Sequence, residues 1–169
     1  AACDRPIIVY NVPYRTGVDI DVATVRALAG HPRIVAIKES AGEQIDRLFD
    51  LIHDTDIAVL CGEDKQCLTA ASLGAQGGIL AAANIRPDLY VRLFTQVSEG
   101  RIADARVLFA RLMPLIRLLY AEPNPSLIKA ALAHQGLITT DEVRLPIVPA
   151  SAAAREKLIP ALEDVLRLA

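Results

Sequence analysis

A lysine at the end of an apolar run is the first feature of this chain that invites a chemical reading. In Arg33-Ile34-Val35-Ala36-Ile37-Lys38-Glu39-Ser40, the apolar residues from Ile34 to Ile37 run straight into Lys38. Such a run suits a strand buried on both faces, as parallel sheets supply. An ammonium there is costly unless it is paired or gives up its proton, and a free amine adds to a ketone to form a Schiff base. The other reading of Lys38 is the first solvated residue after a core strand. Tyr10 ends a second short apolar run and is followed by Asn11-Val12-Pro13-Tyr14-Arg15-Thr16-Gly17. A phenol beside an imine-forming lysine can relay the protons of dehydration and enamine formation; equally, Tyr10 can be an aromatic plug. Arg15 can hold a substrate carboxylate through its planar fork, or stand as a solvated loop arginine. A third apolar run ends in Gly62-Glu63-Asp64.

These residues need elements to bring them together. Strands are expected at Pro6–Tyr10, around Lys38, at Ile57–Cys61 and, more weakly, at Gly77–Ala81. A helix carrying Val22, Val25, Leu28 and Ala29 can be capped by Asp19 or Asp21. Glu43–Asp54 is expected to be amphipathic, with Ile45, Leu48, Phe49 and Ile52 on one face. Cys67 to Ser72 continues as a helix that stops at Gly74, and another helix spans about Asp88 to Ser98. Strand, loop and helix thus alternate with a period of roughly 20–25 residues, which implies parallel strands with helices outside. Residues 1–100 are expected to form a partial (βα) barrel of four units. Residues 101–169 are expected to be a helical region: Ile102–Tyr120 with Pro114 inside, Ser126–Gln135, and a last helix capped by Ser151. In a (βα) barrel all strand C-termini open onto one face, so Tyr10, Lys38 and Gly62 should converge.

Composition narrows the function. The 169 residues are 53% apolar and 22% charged, which makes the chain globular, and aromatics at 4% leave an aliphatic core. A net charge of −2 gives no electrostatic case for nucleic acid or an anionic membrane. No apolar stretch of membrane-spanning length and no secretory signal is visible. His31, His53 and His134 share no ligand spacing and are expected to be structural or exposed. Cys3, Cys61 and Cys67 form no CxxC pair, and reduced thiols in a cytoplasm are the simplest reading. Ala1-Ala2-Cys3-Asp4-Arg5 lacks an initiator Met and looks like a helix end running into a turn, as if cut from a longer chain.

The motifs together resemble the dihydrodipicolinate synthase family, within the pyruvate-dependent class I aldolases that include N-acetylneuraminate lyase. They are Tyr10-Asn11-Val12-Pro13-x-Arg15-Thr16-Gly17, Ile37-Lys38-Glu39, Gly62-Glu63-Asp64, Gly78-Ile79 before Ala83-Asn84, Glu122-Pro123-Asn124-Pro125 with Lys129, and Leu145-Pro146. The resemblance implies an α/β fold: the C-terminal half of a TIM (β/α)8 barrel, strands 5–8, followed by a helical appendage. It implies that Lys38 forms the Schiff base with pyruvate, Tyr10 relays protons, Arg15 binds the carboxylate of aspartate semialdehyde, and the Ile79 carbonyl lines the pyruvate pocket. The implied reaction belongs to lysine and diaminopimelate biosynthesis, with no metal or organic cofactor, in a cytoplasmic homo-oligomer that is a tetramer in the family. The family's carboxylate-binding Gly-Thr-Thr loop and second relay tyrosine are missing, so the isolated chain is expected to be inactive. Glu63-Asp64 stands where many relatives have two aspartates. A sugar-acid aldolase of the same family and an inactive half-barrel are the alternatives; Arg15 favours the synthase.

Overall fold

The computed structural model describes residues 4–42 and 44–169. Cys3 and the expected helix start at Glu43 lie outside the described residues. The chain divides into two compact units, Ala1–Leu80 and Ala81–Ala169.

The first unit is built on four strands: β1 (Ile7–Asn11), β2 (Ile34–Glu39), β3 (Ala58–Cys61) and the two-residue β4 (Gly77–Gly78). All three pairings are parallel and the strand order follows the sequence, β1-β2-β3-β4. The helices between them are α1 (Pro13–Thr16), α2 (Val22–Ala29), α3 (Ile45–Asp54) and α4 (Cys67–Leu73). The alternation of strand and helix read from the sequence is therefore present, and the parallel pairing follows from it. Strands five to eight of an eight-stranded barrel were expected, and that expectation is corrected. What the chain forms is an α/β fold with one open four-stranded sheet, in which β1 and β4 each pair on one side only among the described residues.

Two expectations about burial are corrected with it. Ile8 is 47% exposed and Val35 46%, whereas Ala36 and Ile37 are buried. β1 leaves Ile8 and Tyr10 exposed on one face and so is not buried on both sides, whereas the consecutive Ala36 and Ile37 keep the centre of β2 buried on both faces and only Val35 departs from that expectation. On α3 the buried residues are Leu48 and Leu51, while Ile45 and Phe49 are exposed. The stripe facing the sheet is thus rotated from the one the apolar pattern suggested. Helix ends follow local chemistry. Asp21 caps α2, its carboxylate accepting from the Thr24 N–H at 2.6 Å; Gly74 ends α4 with φ of 110°, a left-handed conformation that favours glycine. The register of β1 on β2 contains one irregularity, between Ile7 and Ile8. Ile7 pairs with Ile34 but Ile8 with Ala36, which leaves Val35 as an extra residue.

The second unit is helical: α5 (Pro87–Ser98), α6 (Ile102–Leu119), α7 (Ser126–His134) and α8 (Ala152–Leu166). Leu93, Leu112, Leu119, Leu127 and Leu162 are among its fully buried side chains. Pro114 lies inside α6 on an exposed position. Ser151 caps α8, as expected, by accepting from the Ala154 N–H. Arg86 closes the other end of α8 by donating to the carbonyls of Val165, Leu166 and Leu168. No helix among the described residues is long and apolar enough to cross a membrane.

Candidate functional site

Parallel pairing brings the strand C-termini to one edge, and the register decides which residues meet there. Tyr10 pairs with Lys38, Lys38 with Leu60, and Leu60 with Gly77. The pattern of backbone bonds continues one step past the strands: Ser40 donates to the Asn11 carbonyl, Gly62 to that of Glu39, and Ile79 to that of Cys61. Tyr10, Lys38, Gly62 and Ile79 therefore share one end of the sheet in the first unit. β4 ends at Gly78, so Ile79 follows the strand instead of lying inside it as expected.

The Lys38 amine lies 4.1 Å from the centre of the Tyr10 ring. At that distance an ammonium is held by the negative face of the ring. Lys38 is only partly buried, and Tyr10 is 46% exposed on the open side of the sheet. The amine is thus reachable from outside and has a phenol beside it. Arg15, on α1, is exposed and stacks on Tyr14, its guanidinium 5.5 Å from that ring's centre. Its described contact is with Tyr14 and not with Lys38. Partial desolvation pushes the Tyr14 phenol up, and the nearby charge of Glu63 adds to the shift. Burial likewise raises the Glu63 carboxyl, with the Asp64 charge adding and the Lys38 amine opposing. Tyr14 and Glu63 therefore belong to the surroundings of Lys38 and Tyr10.

Gly62 is required where it stands. A Cβ there would lie 1.9 Å from Ser40 Oγ, 2.9 Å from the Glu39 carbonyl oxygen and 3.0 Å from Lys38 Cε. Glycine lets the lysine stem and the serine hydroxyl cross this backbone closely. The Ser40 hydroxyl is buried without a hydrogen-bond partner.

Behind the strand ends is a polar cluster that the sequence reading did not assemble. Glu39 is buried, its side chain 7% exposed, and pairs with Arg47 of α3. Arg47 donates to Glu39 Oε2 through Nη2 at 3.0 Å and Nε at 3.2 Å. Asn11 donates to Glu39 Oε1 at 2.9 Å and to Asp19 Oδ1 at 2.8 Å. Asn11 followed directly on Tyr10 in the motif, so its place was visible; the Glu39–Arg47 pair spans a turn and was not. The Cys61 thiol, buried beside the site, is pushed up to about 12 by burial and donates to the Glu63 carbonyl. A thiol held protonated in this way is a packing residue and not a nucleophile. Among the described residues no group of His, Cys, Asp and Glu could hold a metal, and all three histidines are exposed.

Comparison with known proteins agrees with the motifs. The model of the "Dihydrodipicolinate synthetase family" matches residues 1–165. The 4-hydroxy-tetrahydrodipicolinate synthase of Escherichia coli O139:H28 is 39% identical over 162 residues, covering 95% of this chain and 55% of that protein. The crystal structure of dihydrodipicolinate synthase from Thermotoga maritima superimposes with a TM-score of 0.92 at 34% identity, over 99% of this chain and 58% of that one. The chloride-inhibited enzyme from Acinetobacter baumannii, solved with pyruvate, gives 0.91 at 36% identity, over 99% and 57%. The chain spans about half the length of the relatives it matches, and these matches do not support the C-terminal placement expected from the sequence. Family model, sequence identity and superposition all lead to one assignment: the chain belongs to the dihydrodipicolinate synthetase family.

Proposed function

We propose that this chain supplies the imine-forming lysine of an enzyme that condenses pyruvate with aspartate semialdehyde. The observation that carries the reading is the Lys38 amine at the end of β2, 4.1 Å above the Tyr10 ring. In the proposed sequence Lys38 Nζ adds to the pyruvate carbonyl carbon, and water leaves the carbinolamine to give an iminium ion. Loss of a methyl proton forms the enamine, whose carbon attacks the aldehyde. The amine of the new adduct then closes on the iminium carbon and releases Lys38. Tyr10 relays protons in these steps. Arg15 holds the carboxylate of the aldehyde by a two-point contact, and the Ile79 carbonyl lines the pyruvate pocket.

Family membership and the exposed position of Arg15 beside the strand ends support this partner over an uncharged sugar-derived aldehyde. A homo-oligomer, tetrameric as the resemblance implies, completes the proposal, and buried thiols at Cys61 and Cys67 suit a cytoplasmic setting. The test is reduction with borohydride in the presence of pyruvate, using the full-length protein. A pyruvate-derived mass on the peptide containing Lys38, absent from Lys38→Ala, is the expected result. An adduct that persists in Lys38→Ala overturns the assignment. Turnover of sugar-acid substrates in place of aspartate semialdehyde moves the chain to the sugar-acid aldolases.

A further inference from the structure

Lys38 and Glu39 are neighbours on a pleated strand, so their side chains leave opposite faces of the sheet. Lys38 faces Tyr10 on the open side, while Glu39 is buried on the helix side against α3. Glu39 therefore does not share the reactive face. A buried carboxylate is nonetheless expensive, and here every contact it makes is with an element that borders the site.

Glu39 Oε1 accepts from Asn11 at 2.9 Å and from the Ala41 N–H at 2.8 Å, and Oε2 accepts the two donors of Arg47. From there the cluster reaches the segment that carries Arg15. Arg47 Nη2 donates to the Ile20 carbonyl at 2.6 Å, and the Ile20 N–H donates to Asn11 Oδ1 at 3.1 Å. Asn11 Nδ2 donates to Asp19 Oδ1 at 2.8 Å, and Arg47 lies 3.6 Å from the other oxygen of Asp19. Both polar backbone groups of Ile20 are thereby held by Asn11 of β1 and Arg47 of α3, and both of those residues bond Glu39 at the end of β2. The segment between Val12 and Asp21 is otherwise exposed, apart from Val12 itself and partly buried Pro13 and Ile20.

We propose that Asn11, Glu39 and Arg47 are positioning residues that fix the Arg15 segment on the strand bearing Lys38, and so set the spacing between carboxylate clamp and imine. The proposal rests on the functional reading above. The physical argument is a comparison of what buried ion pairs do. Against an apolar replacement such a pair adds little stability, but its forked geometry allows one arrangement only. β2 is held by sheet pairing on both sides whether or not the cluster is intact. Among the described residues the Arg15 segment is held otherwise only by the short α1 bonds back to Val12 and Pro13, so it is the part that moves when its far end, Asp19–Ile20, is released from the cluster.

This predicts a split between the two substrates, measured in the full-length protein. Asn11→Ala should raise the KM for aspartate semialdehyde on the order of tenfold, as expected when a positioned contact shifts by a fraction of an ångström. The KM for pyruvate and the borohydride trapping on Lys38 should stay within about threefold of wild type, since the lysine is still held by its strand. The pair Asn11→Ala with Arg15→Ala should be no worse than Arg15→Ala alone, because Asn11 acts through Arg15. Effects that multiply, equal changes in both KM values, or an unchanged aldehyde KM overturn the proposal. If Asn11→Ala gives no cooperative melt, Asp19→Asn, on the exposed rim, is put through the same cycle and decides by the same outcomes. Failure of wild type to trap pyruvate on Lys38 refutes the functional reading instead, and is scored separately from the cycle.

Discussion

Gly62 shows how closely the site is drawn at the level of single residues. Replacement by alanine puts a methyl group 1.9 Å from the Ser40 hydroxyl and 2.9 Å from a main-chain oxygen. The hydroxyl can be removed but the main chain can only shift. Gly62→Ala should therefore destabilise the fold by about 1–3 kcal/mol, the usual range for overpacking. Adding Ser40→Gly should recover part of that loss and not all of it, read from paired denaturant melts. Full recovery would mean that the carbonyl contact is unimportant. Residue type singled out Lys38, Tyr10 and Arg15 in the sequence, but each also had a neutral reading, and it was the joint order of the motifs that favoured the chemical one. Asn11 and Ser40 were not visible as participants. An amide and a hydroxyl acquire a role only through partners that folding brings near, and no spacing rule links Asn11 to residues 28 positions away.

At the scale of elements, the parallel strands and intervening helices were legible because Gly, Pro and cap residues punctuate the chain so regularly. Asp21, Gly74 and Ser151 all terminate helices where the local chemistry says they should. Which face of a helix is buried was less legible. Ile45, Leu48, Phe49 and Ile52 form a reasonable apolar stripe, yet Leu51 is the fully buried residue of α3 and Ile45 and Phe49 are exposed. In this orientation Arg47, one turn before Leu51, lies on the sheet-facing side and reaches Glu39 at the strand end. α3 therefore anchors on Leu51. Leu51→Ala should lower stability by about 2–5 kcal/mol, whereas Phe49→Ala should stay within about 1 kcal/mol, by chemical denaturation. Similar losses for both would show that the expected stripe is the buried one after all.

For the molecule as a whole, the ionisable groups predict a particular response to acid. Asp21, bonded by the Thr24 backbone N–H, Asp88, bonded by Arg86, and Glu122, bonded by Ser151, all have carboxyls held below their ordinary values. Each stabilises the fold fully above the unfolded value, and that contribution is lost as the pH falls through the lower folded value. Glu63 has the opposite sign. Burial raises its carboxyl above the ordinary 4.5, so its charge opposes folding at neutral pH and the penalty disappears as it protonates on acidification. Melting temperature should thus rise slightly as pH falls from 7 toward the ordinary Glu range, then drop below about pH 4. Glu63→Gln should abolish the rise and leave the drop, and a rise that survives this substitution would assign it to another group. The barrel placement was not legible in the same way. Local punctuation reveals that strands are parallel, but not what, if anything, pairs with the outer edges of β1 and β4.

The extra residue at Val35 governs a question of odd and even. Side chains alternate along a strand, so whether Tyr10 and Lys38 look the same way depends on the parity of the residues between them and the last shared pair. Counted evenly from Ile7 opposite Ile34, Tyr10 would stand opposite Ile37, whose side chain is fully buried on the packed face. One added residue on β2 reverses that parity and brings the phenol to the amine. Substitutions along these strands therefore change the quality of the pairing by degrees, whereas an uncompensated insertion or deletion of one residue between Ile7 and Tyr10 would invert it. The chemistry at this edge is protected less against changes of letter than against changes of count.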